Sequence, residues 1–365
     1  MRRAVLIAAA SLLVAVFLWL LLWPVAVDPV AWKAPPNPGY TGPYAPNTRL
    51  AAAELLPLGG RHGPEDLAVD AQGRVYTATH GGDILRFDPG ATAPVVVAHT
   101  GGRPLGIEFG PDGRLYVADA FRGLLAVTPD GSITLLADTA DGVPIVYADD
   151  LDIAPDGTVY FSDASTRFSA RAIGDTYAAS VLDINEHGGH GRLLAWHPDG
   201  TVTTVLSGLQ FANGVALGHD GDSVLVVETG SYRIIRHHLR GPKQGTTETV
   251  IEGFPGFPDN LARGRDGRYW VGLVSPRSKI LDALSDSPFL RKVVERLPAF
   301  VRPKATPHGH VIAFDDTGAV LVDLQAPDGP PLYTTGALET DDHLYVSSLR
   351  DGHLARLPRV EVLPR

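Results

Sequence analysis

One unit recurs six times from about Glu54 onward, and this repetition limits the possible folds more than any other feature of the chain. Each unit has an apolar strand, a tight turn and a second strand that is usually centred on an aromatic residue. Most of the turns are of the Asp-Gly type, as in Asp112-Gly113 and Asp156-Gly157, and such dipeptides between strands are typical of hairpins. The six second strands lie at 74–77, 114–117, 158–161, 223–226, 268–271 and 343–346.

The spacing of these units predicts an all-β, six-bladed β-propeller over residues 54–360. Blades of four short strands recur at roughly 40 residues or more, as these units do. A solenoid would have shorter and more uniform repeats. An array of immunoglobulin-like domains would need about 100 residues in each unit.

A long apolar segment precedes the propeller. Residues 4–27 carry no charge and follow Arg2 and Arg3. A bilayer core takes about 20 residues of helix, whereas a cleaved signal peptide has a shorter apolar region of about 7–15 residues. Trp19 and Trp23 near its end favour a retained signal-anchor, although a cleaved signal is the alternative.

The anchor predicts a single-pass membrane protein with three parts. Residues 1–30 form a cytoplasmic stub and a transmembrane helix, because the two arginines favour the cytoplasmic side. The propeller then lies on the periplasmic or luminal side. Between them, residues 31–53 contain many prolines and predict a stiff, extended linker.

Composition excludes several classes of function. The chain has no cysteine, so thiolate catalysis, zinc ribbons and iron–sulfur clusters are excluded, and any metal must bind oxygen or imidazole ligands. The formal net charge of −10 argues against binding to nucleic acid, because phosphate contacts need clustered Lys and Arg. Oxygen ligands point to hard cations such as calcium.

Equivalent positions of the blades should meet at the mouth of the central channel. Counting back from each second strand reaches a carboxylate or carboxamide in four blades, and Leu105 and Thr334 in the other two. Any one of these polar residues could simply cap its turn. Four in the same phase indicate a cation site, because clustered carboxylates repel one another without one. The four predicted calcium ligands are Glu65, Asp149, Asn213 and Asp259, with Asn260 as a supporting residue.

Two long insertions interrupt the repeat, at 167–190 and 275–307. The second contains an apolar pattern from Leu281 to Leu297 that suits an amphipathic helix. Such a helix either packs on the propeller rim or forms a lid that faces the membrane.

Two segments carry a resemblance to a known family. Residues 147–168, which read YADDLDIAPDGTVYFSDASTRF, and residues 208–217, which read GLQFANGVAL, resemble the strictosidine-synthase-like family. The resemblance covers roughly residues 55–357. It implies membership of a wider superfamily of calcium-dependent propellers that includes gluconolactonases and paraoxonases. It also implies the same four calcium ligands, although Asp149 stands where those hydrolases usually have asparagine.

The chain departs from both well-known activities of these relatives. Strictosidine synthases use a glutamate at the start of the sixth inner strand, but residues 332–337 contain no acid, so the Pictet–Spengler condensation is not expected. Paraoxonases use a histidine pair in the second blade region, and the stretch at 117–120 has no histidine.

The function predicted from these observations is calcium-dependent hydrolysis of a small-molecule ester or lactone, as in arylesterases and lactonases. Asp259 is the first candidate for the general base, followed by Asp150, and then by His308 and His310. These last three have ordinary structural readings as a turn cap or loop histidines. A non-catalytic binding or scaffold propeller stabilised by calcium is the alternative, and reaction with organophosphates is a third option.

Overall fold

The computed structural model describes residues 1–363. Helices are few, and the last of them follows the final strand at the C-terminal end of the described chain. They are α1 (Arg2–Leu22), α2 (Ala170–Ile173), α3 (Thr176–Glu186), α4 (Lys279–Ala283), α5 (Pro288–Arg296) and α6 (Arg359–Val362). Of the helices in this range, α1 is long and apolar enough to cross a membrane.

The remaining regular structure is β-sheet. The chain enters it at β1 (Glu54–Pro57) and runs through the first three blades as β2 (Leu67–Val69), β3 (Val75–Ala78), β4 (Asp83–Phe87), β5 (Val95–His99), β6 (Pro104–Phe109), β7 (Leu115–Asp119), β8 (Gly123–Val127), β9 (Ile133–Ala137), the small hairpin β10 (Thr139–Ala140) and β11 (Val143–Pro144), β12 (Ala148–Ile153), β13 (Val159–Asp163), β14 (Gly191–Trp196) and β15 (Val202–Leu209).

The second half of the propeller continues this pattern. Its strands are β16 (Ala212–Leu217), β17 (Ser223–Glu228), β18 (Arg233–His238), β19 (Thr247–Glu252), β20 (Gly256–Arg263), β21 (Tyr269–Pro276), β22 (Gly309–Phe314), β23 (Val320–Ala326), β24 (Thr334–Glu339), β25 (His343–Ser348) and β26 (His353–Pro358).

These strands form six four-stranded antiparallel sheets, and the predicted six-bladed propeller is confirmed. Five blades use four consecutive long strands each. The sixth has the order β1-β26-β25-β24, so the first strand of the propeller becomes the outer strand of its last blade. Pairing of Glu54 with Arg356 and of Pro57 with His353 closes the ring in this way. Closure of the ring leaves only short, protected edges.

An extra residue interrupts the pairing of five inner strands at the same place. In β12, Ala148 lies opposite Asp163 and Leu151 lies opposite Phe161, so three steps on the inner strand match two on its partner. Strands β6, β16, β20 and β24 have the same one-residue bulge near their start. Because a bulge bends the strand and redirects its side chains, these five positions are redirected in the same way.

Residues 23–53, called the strap below, include the segment 31–53 predicted as a stiff, extended linker, and they pack against the propeller. Val27, Tyr44 and Leu50 are buried, and the ring of Trp32 stacks on that of His187 with 4.0 Å between centroids. The proline-rich part is extended, but its backbone carbonyls accept hydrogen bonds from the propeller. The apolar residues between the prolines therefore attach the strap to the domain.

Both insertions lie on the same side of the propeller. The first contains α2 and α3, and the second contains α4 and α5 in place of one continuous amphipathic helix. The break falls at residues 284–287, immediately before Pro288, the first residue of α5. Proline at this position starts a helix readily because its missing N–H has no partner there.

Candidate functional site

A cavity of about 510 Å³ opens where the inner strands begin. Glu65, Asp149, Asn213 and Asp259 all line it, together with Leu105, so the blade register brings together the four residues that it singles out. We call these five residues the floor. The wall above them comes from α3 and from the insertion at 275–307, and it includes Val181, Ile184, Ile280, Leu284 and Val294.

The shared bulge explains why the floor residues converge. Leu105, Asp149, Asn213 and Asp259 are each the first of the two residues in a bulge. Glu65 takes the corresponding position two residues before β2, a strand whose pairing has no bulge. In the sixth blade, Thr334 lies opposite Ser348, so the equivalent residue is Thr335 and the count to Thr334 is wrong by one. The Thr335 hydroxyl donates a hydrogen bond to the carbonyl of Glu65 at 2.5 Å, which joins the last blade to the first.

Hydrogen bonds between side chains hold the floor. Asn213 Nδ2 donates to Asp259 Oδ1 at 2.5 Å, and Asn260 Nδ2 donates to Glu65 Oε2 at 3.1 Å. The Oδ1 atoms of Asn213 and Asn260 are buried and accept no hydrogen bond in the described part of the chain. Of these two amide oxygens, that of Asn213 belongs to a residue that lines the cavity, whereas Asn260 does not line it.

The carboxyl groups of the floor are deeply buried. Burial raises the pKa of Glu65 to about 7, although the guanidinium of Arg103 opposes this shift. Burial, and then the neighbouring charges of Glu65 and Asp259, hold the pKa of Asp149 well above its ordinary value. The pKa of Asp259 is raised by burial and by Glu65. Burial is the first cause of each shift, because it disfavours the charged form of a carboxyl group.

The chemistry of these groups fits a hard divalent cation. Such ions take carboxylate and amide oxygens as ligands, and a cation would relieve the repulsion among the three carboxylates. Within residues 1–363, however, no three His, Asp or Glu side chains stand close enough together to hold one ion. The donor set therefore fits calcium in kind, and calcium binding stays a prediction.

The two carboxylates considered as bases have different surroundings. Asp259 lines the cavity, and its Oδ2 has no hydrogen-bond partner among the described residues. Asp150 does not line it. Its carboxylate accepts hydrogen bonds from the backbone N–H groups of Val215 at 2.8 Å, Leu261 at 3.2 Å and Leu151 at 2.8 Å. Asp150 therefore links the third, fourth and fifth blades, and of the two carboxylates only Asp259 lines the cavity.

His308 and His310 do not line the cavity either. They lie at the start of β22, which is the third strand of its blade. His310 is fully buried, with Nε2 2.6 Å from Asp323 Oδ2, and the ring of Tyr40 from the strap packs against both histidines. The structure therefore does not support a catalytic role for them in this cavity.

A second ring of residues lies next to the floor, and the sequence analysis names two of its members, Asp150 and Asn260, without predicting the ring. The ring consists of the residue that follows the floor position, or Thr335 in the sixth blade, along each inner strand. This residue is Asp66, Asp150 or Asn260 in the odd blades and Gly106, Gly214 or Gly336 in the even ones. A Cβ on Gly214 would lie 2.5 Å from the carbonyl oxygen of Asp259, so only glycine fits there. The Asp66 carboxylate accepts a hydrogen bond from the Ile107 N–H at 2.8 Å. Adjacent acids at 65–66 and at 149–150 are the signal that could have revealed this ring.

Two family descriptions match the chain: "Strictosidine synthase-like, N-terminal" over residues 42–87 and "Strictosidine synthase" over residues 149–242. The adipocyte plasma membrane-associated protein of Salmo salar is 34% identical and aligns with 94% of this chain and 86% of its own length. The chain belongs to the strictosidine-synthase-like family. The resemblance seen in residues 147–168 and 208–217 is thereby confirmed.

Solved structures similar to this member of the strictosidine-synthase-like family share its fold at low sequence identity. A gluconolactonase from Xanthomonas campestris is 19% identical with a TM-score of 0.61, and 85% of this chain and 91% of that chain are covered. Regucalcin from Agrobacterium tumefaciens, described as a calcium-binding protein, is 18% identical with a TM-score of 0.58, and the coverages are 86% and 97%.

Proposed function

We propose that this protein is a membrane-anchored, calcium-dependent hydrolase of esters or lactones. The observation that carries the proposal is the composition of the cavity. Three carboxylates and one carboxamide stand on the floor of a space whose wall is mostly apolar. Cavities of this kind, with a few convergent polar groups in an apolar pocket, are typical of small-molecule sites. The fold shared with a gluconolactonase and with a calcium-binding regucalcin supports the same assignment.

The roles of the residues follow from their positions. Glu65, Asp149, Asn213 and Asp259 would hold the calcium ion, which when bound would supply positive charge next to a substrate carbonyl. Asn260 orients Glu65 by donating to its carboxylate. Phe211, Phe257 and the aliphatic wall would bind the apolar part of the substrate and exclude water. Asp259, whose Oδ2 is free of protein donors, would accept a proton from the attacking water.

The anchor is part of the proposal. Helix α1 has 21 residues, which at about 1.5 Å per residue matches the roughly 30 Å of a bilayer core. Arg2 and Arg3 would remain in the cytoplasm and the propeller would lie on the extracytoplasmic side. The name of the relative in Salmo salar, which is described as plasma membrane-associated, agrees with this arrangement.

Hydrolysis assays on the purified full-length chain test the proposal. Aryl esters, lactones and an organophosphate triester are offered with calcium, with a chelator, and to the Asp259→Asn variant. We expect turnover of an ester or lactone that falls about 100-fold or more with chelator and with Asp259→Asn, because a positioned base contributes about 10²–10⁴-fold. Asp88→Asn, which removes an exposed carboxylate from a distant turn, is the matched control and should leave turnover unchanged.

A non-catalytic scaffold is the second candidate. No histidine lines the cavity in the described residues, so Asp259 has no imidazole there to share proton transfer. In this alternative, calcium only makes the mouth of the channel rigid. Calcium would then raise the melting temperature while no ester, lactone or organophosphate is hydrolysed, and that combination would contradict the hydrolase proposal.

A further inference from the structure

The insertion at 275–307 exposes large apolar side chains on the outside of the cavity wall. They are Ile280 (51% exposed), Phe289 (54%), Leu290 (44%), Phe300 (82%) and Val301 (52%), and we call them the apolar rim. Within residues 1–363, the only exposed phenylalanines outside α1 belong to this rim. Side chains of this size in water are unfavourable, so an apolar patch of this kind marks a surface that is covered in use.

The apolar rim is tied directly to the end of the membrane helix. Arg296 of α5 donates hydrogen bonds to the carbonyl oxygens of Trp23 at 2.5 Å and Leu20 at 3.1 Å. One turn earlier, Lys292 Nζ lies 2.6 Å from Asp28 Oδ1. These contacts fix α5 beside the last turn of α1. Since Trp19 and Trp23 would lie at the membrane interface, α5 lies at that interface too.

The charge of the insertion also suits a lipid surface. Of its seven Lys or Arg, Arg277, Arg291 and Arg296 are buried, which leaves four basic residues nearer the surface in a chain whose formal net charge is −10. Lys279 and Lys304 are exposed at the edge of the cavity. An apolar face bordered by basic residues is the pattern of a segment that lies in the headgroup region of a bilayer.

The same insertion is a wall of the cavity. Ile280 is both an exposed rim residue and a lining residue, and Leu284 and Val294 line the cavity from α4, α5 and their connection. Apolar side chains of the insertion therefore lie both on its outer surface and in the cavity wall above the floor. A molecule that leaves the bilayer beside α1 would meet apolar side chains on the rim and again on this wall.

We infer that the apolar rim lies in the bilayer that holds α1, and that the cavity takes its substrate from the lipid phase. Resting on the proposed function, this assigns the substrate class as an amphiphilic ester or lactone with a long alkyl or acyl chain. The chain would lie along the apolar wall while the carbonyl group reaches Asp259 and the other polar groups of the floor.

The position of the apolar rim is tested without any assay of activity. The chain has no cysteine, so Phe289→Cys, Phe300→Cys and the control Val96→Cys each provide one labelling site. Val96 is 48% exposed on β5, in the outer strand of the first blade. The full chain is labelled with an environment-sensitive fluorophore in phosphatidylcholine–phosphatidylserine nanodiscs. We expect a blue-shifted emission that spin-labelled lipids quench at positions 289 and 300, and neither effect at 96. Emission typical of water at both rim positions would overturn the inference.

The substrate class is tested with two esters that would be hydrolysed by the same groups of the floor but differ in the length of their apolar chain. The double variant Phe289→Asp/Phe300→Asp alters rim residues that do not line the cavity. We expect kcat/KM for a long-chain ester in nanodiscs to fall at least fivefold, while turnover of a short, water-soluble aryl ester stays unchanged. Equal values for both esters in wild type and variant would overturn the substrate assignment. If neither ester is hydrolysed, the proposed function and the substrate class both fail, whereas the labels still decide the position of the rim.

Discussion

The floor of the cavity is built from positions that recur around the propeller, whereas its wall comes from insertions that occur once. On the floor, buried side chains contact one another, as Asn213 contacts Asp259. In the wall, arginines donate to backbone carbonyls of the strap, as Arg296 does to Trp23. The floor can therefore unfold only together with the inner strands. The wall can open locally while the propeller remains folded. This difference separates the groups that would do the chemistry from those that would select the substrate.

The largest expected effect comes from the wall. Arg291 is 1% exposed, and its guanidinium donates to the carbonyls of Asn185 at 2.8 Å, Ser285 at 3.2 Å and Val30. Arg291→Met should lower the local opening free energy of the strap and α5 by about 3 kcal/mol, since hydrogen bonds of charged groups contribute about 1.5–3 kcal/mol each. Hydrogen exchange in residues 26–32 and 285–297 measures it, and the exposed Arg171→Met is the control. Equal protection in both variants would remove the distinction between wall and floor.

Gly214→Ala tests the floor, where a Cβ would lie 2.5 Å from both the Asp259 carbonyl oxygen and the Leu261 nitrogen. Because both contacts are backbone atoms, the substitution should destabilise the whole propeller by about 2 kcal/mol, within the usual range for overpacking. Urea denaturation gives the value. In Gly329→Ala no atom would lie within 4 Å of the new Cβ, and we expect no comparable loss. A stable Gly214→Ala protein would mean that the inner strands are not held this tightly.

Asn260→Ala should affect the floor alone. Without its amide, Glu65 Oε2 loses its donor, and supporting residues of this kind alter metal affinity by about 10–100-fold. We expect calcium to bind at least about tenfold more weakly by calorimetry, with unchanged hydrogen exchange in α5. Asn37→Ala in the strap is the matched control. An unchanged calcium affinity would show that Asn260 does not position Glu65.

The smallest expected effect is a pH dependence of the wall. Burial, and then the charge of Arg291, lower the pKa of His187 to about 3. The unfolded chain binds the proton near pH 6.5 and the folded chain does not, so stability is complete above that pH and falls as the pH drops. Between pH 6.5 and 5.5, the free energy of unfolding of the wild type should fall by about 1 kcal/mol more than that of His187→Asn. If the unfolding free energies of the two proteins, measured by denaturation at each pH, changed in parallel, His187 would contribute nothing to the pH dependence.

The sequence predicts the floor well because the floor obeys the repeat. Glu65, Asp149, Asn213 and Asp259 follow from one count applied to each blade. The count fails at Thr334 because the turn of the sixth blade is one residue shorter, with Glu339 opposite Leu344, whereas Ile153 lies opposite Val159 in the third blade. Thr335 therefore takes the position.

The wall could not be predicted in the same way. Proline content predicts that the strap is extended, but only tertiary contacts show that Trp32 stacks on His187. Closeness along the chain also misleads for His308 and His310. They precede the sixth inner strand, yet they start the third strand of the fifth blade, away from the cavity.

The central claim is that the floor binds calcium, and a calcium titration followed by thermal unfolding tests it most directly. For the full-length chain, calcium at 100 times its Kd should stabilise the propeller by about 2.7 kcal/mol. The account predicts a saturating rise in Tm that is absent in the Glu65→Gln/Asp149→Asn double variant. No rise in the wild type, or a rise that the double variant keeps, would contradict it.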